Sequence, residues 1–302
     1  MTKKFLLSIT VLISAITWSD GKTVSAIPVT RLDSIIYIYV QNRDTIAKEM
    51  PEQLVPYEYA LDIIAKGVLD LGDRIEHKGL KNAIVSRYCH PAFNKLYADV
   101  EERFAFGLSK KIMKELQYAF DKLHRLRPDL EMPKDIFTHV SGFNQRVIVA
   151  PSFVSVSLDF YLGQDYPLYQ EFFTPWQQRH SVADRIAMDA LLGWIISEIP
   201  EPRDRAITLN DKFHYWSEIY HLMHRIFPKR SETDLFGYSN DEMRWMKANK
   251  KHLINNIRER EELNSTSPMI IDKYFKEIPE GVALPSNAPR EIGPWLAYVM
   301  YK

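Results

Sequence analysis

The sequence predicts an α+β fold, mainly α, in which a helical body carries a small antiparallel β-meander. Helical periodicity runs through most of the chain beyond its first residues, and one block, Ile136–Asp159, is instead rich in β-branched and aromatic residues. No Gly/Ser/Pro-rich linker divides the chain, and 46% apolar residues with 12% aromatics can fill one large core.

The chain opens with Lys3 and Lys4, an uncharged apolar run from Phe5 to Trp18, and Val24-Ser25-Ala26 with small residues before the cut. This is the pattern of a secretory signal peptide over residues 1–26, leaving 27–302 as a single domain. The run is too short to span a bilayer as a helix, and no later stretch approaches the required roughly 20 apolar residues. The expectation is an exported protein, periplasmic or on the cell surface, with no transmembrane segment after cleavage. With no cysteine following the signal segment, it is expected not to be lipid-anchored.

Tyr57–Glu76 and Lys81–Val100 read as helices, the second interrupted at Pro91. The clearest periodicity is Glu101–Arg127, where Phe104, Leu108, Ile112, Leu116, Phe120 and Leu123 recur three and four apart before Pro128 ends the run. The β-block divides into Ile136–Val140, Arg146–Val149 and Phe153–Leu158, with turn residues at Gly142–Gln145 and Ala150–Ser152. Helices follow at Val182–Glu198, Leu209–Phe227, Ser239–Glu262 and Gly293–Tyr301. Ser239-x-x-Glu242 has the spacing of a capping box, and Pro228 stops the helix before it.

Charge and motifs narrow the chemistry. Removing residues 1–26 takes away three lysines and one aspartate, so 39 basic and 39 acidic residues become 36 and 38. A balance of −2 gives no electrostatic footprint for nucleic acid. Cys89 is the sole cysteine, so no intramolecular disulfide forms, and its neighbour His90 is badly placed to activate it because adjacent side chains diverge. There is no G-x-S-x-G elbow, P-loop or glycine-rich dinucleotide fingerprint. Glu101-Glu102 and Glu261-Glu262 read as solvated charge runs.

Two stretches hold candidate chemistry. In Phe213–His224, His214, Glu218 and His221 share a narrow helical arc, with His224 nearby, as a zinc site or acid/base site would require. The same arc is the polar face of an amphipathic helix whose other side carries Phe213, Trp216, Ile219, Tyr220, Met223 and Phe227. The second stretch is LDFYLGQDYPLY, residues 158–169. Either it is a turn, with Asp165 capping a helix whose first turn holds Pro167, or Asp159, Tyr161, Asp165 and Tyr169 line a binding cleft beside the meander.

LDFYLGQDYPLY, with HVSGFNQ before it and RHSVADRIAMDALLGWIISEIP after it, resembles the gliding-motility GldB family of secreted Bacteroidetes proteins. Gly237-Tyr238-Ser239 through Trp245 and Asn249, and Pro289–Trp295, extend the resemblance, as does IPVTRLD at residues 27–33 more weakly. The resemblance implies a zincin-like architecture, that of H-E-x-x-H zinc peptidases, in which an edge strand runs beside the active-site helix. Met188-Asp189-Ala190-Leu191-Leu192 occupies that helix, so Met188 and Leu192 stand where histidine ligands would be and Asp189 where the general base would be. The helix with Trp216, Ser217 and Glu218 corresponds to the one that carries a glutamate ligand.

These readings favour a non-catalytic protein, a degenerate metallopeptidase, that uses its cleft, Asp189 included, to bind a protein or peptide partner in the cell envelope. No cofactor is expected. The alternative is an active zinc-dependent hydrolase using His214, Glu218 and His221, with Asp189 and Glu218 as catalytic candidates. A glycan site built on Asp159 and Asp165 is a third reading.

Overall fold

The structure, a computed structural model, describes residues 26–41, 52–69, 87–202, 206–276 and 288–301. The expected signal segment up to residue 25, residues 70–76 of the first expected helix and 81–86 of the second lie outside the described residues. Strand β1 (Val29–Arg31) leads into α1 (Leu32–Gln41), and a 3-10 turn (Glu52–Tyr57) leads into α2 (Glu58–Leu69). Helices α3 (Pro91–Arg103) and α4 (Lys110–Leu126) precede β2 (Asp135–His139), β3 (Val147–Ala150) and β4 (Phe153–Ser157). Then come α5 (Pro167–Phe172), α6 (Pro175–His180), α7 (Ile186–Glu198), α8 (Leu209–Ile226) and α9 (Glu232–Phe236). The last are α10 (Asn240–Glu259), α11 (Pro268–Phe275) and α12 (Gly293–Met300).

The fold is mainly helical with a small sheet, as predicted, but the sheet is mixed and is not an antiparallel meander. Its order is β1-β2-β4-β3, with β1, β2 and β4 parallel and only β3 antiparallel to β4. A meander would place β3 in the middle. Instead β4, whose five residues are all buried, takes the centre, while β3 alternates half-buried and buried residues and takes the edge. Ala150–Ser152 does form the β3–β4 hairpin turn. Gly142–Gln145 is no hairpin turn; it belongs to a loop that carries the chain past the position β4 fills.

Several helix limits follow local chemistry. The predicted run Glu101–Arg127 is broken at Gly107, whose φ of +76° a helix cannot use, and Ser109 caps α4 by accepting from Ile112 N. Ile112, Leu116, Phe120 and Leu123 then form its buried stripe. Ser239 caps α10 in a reciprocal capping box with Glu242, and Thr208 does the same for α8 with Asp211. Helix α7 is apolar nearly all round, so its buried residues Ala187, Met188, Ala190, Leu191, Trp194 and Ile195 leave little face for water. It packs against α4, β3, β4 and α8.

Buried polar groups join the parts. Arg31 Nη2 lies 2.6 Å from Asp33 and 2.7 Å from Glu101, and its Nη1 donates to Phe104 O. Thr138 donates to the same Asp33, so β1, β2 and α3 meet at one fully buried carboxylate. Glu101 is therefore an ion-pair partner and not part of a solvated run. Glu262 is likewise buried, 2.9 Å from Lys273 Nζ and accepting from the Tyr274 hydroxyl.

Candidate functional site

The loop LDFYLGQDYPLY folds inward. Asp159 is fully buried and accepts from Phe143 N at 2.8 Å, Ser141 N at 3.2 Å and the Ser157 hydroxyl. It thereby holds the loop after β2, where Gly142 and Phe143 both have positive φ. Tyr169, also fully buried, donates to Asp159 O and accepts from Leu162 N. Tyr161 is buried with its hydroxyl 2.9 Å from Asp189 Oδ2. Asp165 stays on the surface, and Tyr166, not Asp165, is the N-cap of α5. Asp159, Tyr161 and Tyr169 thus do not face a groove: their polar tips are used inside the protein, where an unpaired group is costly.

The histidine arc is used in packing as well. His221 Nε2 donates to Tyr301 O at 2.7 Å, beside Ser217 Oγ at 2.9 Å, and the His214 ring lies 4.0 Å from that of Tyr301. The Tyr298 hydroxyl is 2.7 Å from His224 Nδ1, and Glu218 pairs with Arg127 at 3.0 Å. The arc of α8 is the seat of α12 and the residue after it. Among the described residues no three His, Cys, Asp or Glu side chains converge as metal ligands. Met188, fully buried, and Leu192, at the positions where the resemblance would put imidazoles, offer a thioether and an alkyl group, and those two side chains do not fit a zinc ion.

What α7 does hold is a close contact with the edge strand. Gly193 lies directly on β3: a Cβ there would come within 2.8 Å of Val147 Cγ1 and 3.6 Å of Val149 Cγ2. Glycine is what lets helix and strand approach so closely. A cavity of about 590 Å³ continues from Gly193 along Ile196, Ser197, Pro200, Glu201 and Pro202. Asp189 is one turn before Gly193 on the same face.

On its other side β3 pairs with no strand among the described residues. Ser157 N donates to Arg146 O, which sets the alternation of the ladder: Ile148 and Ala150 bond to β4, while Val147 and Val149 turn their N–H and C=O outward. These outward groups meet no hydrogen-bond partner among the described residues.

At the start of that edge sit two guanidinium groups. Arg146 Nη1 donates to His180 O at 3.1 Å and reaches Asp189 Oδ2 at 3.5 Å, with its plane over the rings of Phe160 and Tyr161. Arg185, the N-cap of α7, donates to Asp234 O at 2.6 Å and reaches Asp189 Oδ1 at 3.5 Å. Burial, and then the positive charge of Arg185, holds the His180 imidazole well below its ordinary value. Arg146, Arg185, His180 and the outward groups of β3 were not among the sequence candidates. The available signal was a lone arginine opening a β-branched run and another immediately before a largely apolar helix.

The family model of the gliding motility protein GldB matches residues 17–302, nearly the whole chain. No curated protein and no solved structure matches it.

Proposed function

The chain belongs to the GldB gliding motility family, and we propose that it serves that role by holding an extended polypeptide in the cell envelope without cleaving it. The observation that carries this reading is the outer edge of β3, paired with no strand among the described residues, on the strand against which Gly193 of α7 packs at one end of a cavity. An added strand would satisfy the outward groups of Val147 and Val149, and side chains alternating from it would enter the cavity. The reading is supported by the resemblance to zincin-like peptidases, in which an edge strand runs beside the active-site helix and Met188 and Leu192 would take the places of histidine ligands. Asp189, in the general-base position, is engaged by Tyr161, Arg146 and Arg185.

The test is a photo-crosslinking residue at Ser197, which lines the cavity and is exposed, in the envelope of the producing cell. A polypeptide adduct is expected. It should disappear when Val149→Pro is added, because proline removes the outward N–H without removing a bond to β4. An adduct that survives Val149→Pro in a protein with unchanged near-ultraviolet circular dichroism refutes strand addition.

A further inference from the structure

We infer that the polypeptide held at β3 presents a carboxylate, from an acidic side chain or a free C-terminus, to Arg146, and that this contact fixes its register. The inference rests on the strand-addition reading and adds a specificity to it.

Arg146 immediately precedes β3, so a strand added along Val147–Ala150 ends beside this residue. That guanidinium is held in place by aromatic rings 4.7 and 5.3 Å away and by the His180 carbonyl. Its partnership with Asp189 is loose, however. Charge-assisted bonds between guanidinium and carboxylate settle near 2.7–2.9 Å, and Arg146 and Arg185 each stand 3.5 Å from the one carboxylate they share. Asp189 makes its short bond to Tyr161 instead. Arg185 is only 7% exposed, and its Nε is buried with no acceptor among the described residues. Arg185 also has Asp234 Oδ1 3.9 Å away, whereas Arg146 has only this one carboxylate at the limit of its reach, which leaves it donor capacity for a second. Arg146, the more exposed of the pair at 24% against 8% for the side chains, is the one a ligand can reach. Its planar fork suits a carboxylate bidentately.

The experiment measures binding of the mature full chain to pools of short peptides of otherwise random sequence. One pool is C-terminally amidated with a central Glu, one is the same with Gln, and one lacks acidic side chains but has a free C-terminal carboxylate. The Glu pool or the free-carboxylate pool should bind about tenfold more tightly than the Gln pool, the size of a hydrogen bond to a charged group. Whichever pool gains identifies the source of the carboxylate. In the wild-type protein the preference should shrink as salt is raised. Arg146→Gln should abolish it, and Arg146→Lys, which keeps the charge and loses the fork, should retain part. Equal binding of all pools, abolished by Val149→Pro, overturns the carboxylate contact and leaves strand addition standing. Binding by none of the pools overturns strand addition itself and this inference with it.

Discussion

Acid should destabilise this protein through His139 in particular. The ring is fully buried at the end of β2, and its Nδ1 is 2.8 Å from Ser155 Oγ. Protonation would place a charge in the core. Burial accordingly lowers the pKa from 6.5 to about 4, against weaker opposing effects of the Asp33 charge and of a hydrogen bond to the Gln145 backbone. Between those values the unfolded chain binds a proton that the folded chain does not, so stability rises with pH across the window and is lost as pH falls through it. At about pH 5, some 1.5 units below the unfolded value, the loss is about 2 kcal/mol at 1.36 kcal/mol per unit. His180 shifts in the same direction, so the effect is isolated by comparison with His139→Gln, which does not titrate. Urea unfolding at about pH 7.5 and about pH 5 gives the loss for each protein. The wild type should lose about 2 kcal/mol more than the variant between the two conditions. Equal losses would show that His139 is not held neutral by the fold.

Gly237→Ala should cost about 3 kcal/mol, because Gly237 has a φ of +69° and an added Cβ would overlap the His180 ring. Gly107→Ala, at a φ of +76° with open space around it, should cost only about 1 kcal/mol, and denaturant midpoints compare the two. Glu262→Gln should cost about 3–5 kcal/mol by stranding the buried Lys273 ammonium. Glu262→Met with Lys273→Met should recover most of that loss; additive losses in a thermodynamic cycle would mean that the pair is not coupled.

What could be read in the sequence was whatever is written locally. The stripe of α4, the capping box at Ser239 and the stops at Pro128 and Pro228 depend on residues a few positions apart, and all appear in the structure. The sheet order was not legible, because placing β4 between β2 and β3 depends on which strand can be buried on both faces, a property of the assembly. The same limit misled the reading of polar side chains. Asp159 and Tyr169 look like surface groups in a loop, yet their partners are Ser141, Phe143 and Leu162, brought together only by the turn. His214 and His221 share an arc, but their partner is Tyr301, some eighty residues on. Glu262 was read as solvated for want of any sign in the sequence that Lys273 and Tyr274 would fold over it.

The dimensions of the β3 edge bear on what kind of partner it can hold. An exposed strand edge invites indiscriminate pairing, and proteins restrain it by keeping the edge short and flanking it with charge or proline. Here β3 is four residues long, bounded by Arg146 and by Pro151. At about 3.3 Å per residue it offers roughly 13 Å of edge. Only Val147 and Val149 turn donors and acceptors outward, and bonds of about 0.5–1.5 kcal/mol each cannot offset the ordering of a free chain by themselves. Selectivity in the proposed capture would therefore come from side chains that reach the cavity of Gly193 and Ser197 and from the guanidinium of Arg146. An edge so short, joined to a cavity and a charge, suits reversible capture of one particular segment and disfavours the sheet extension that would lead to aggregation.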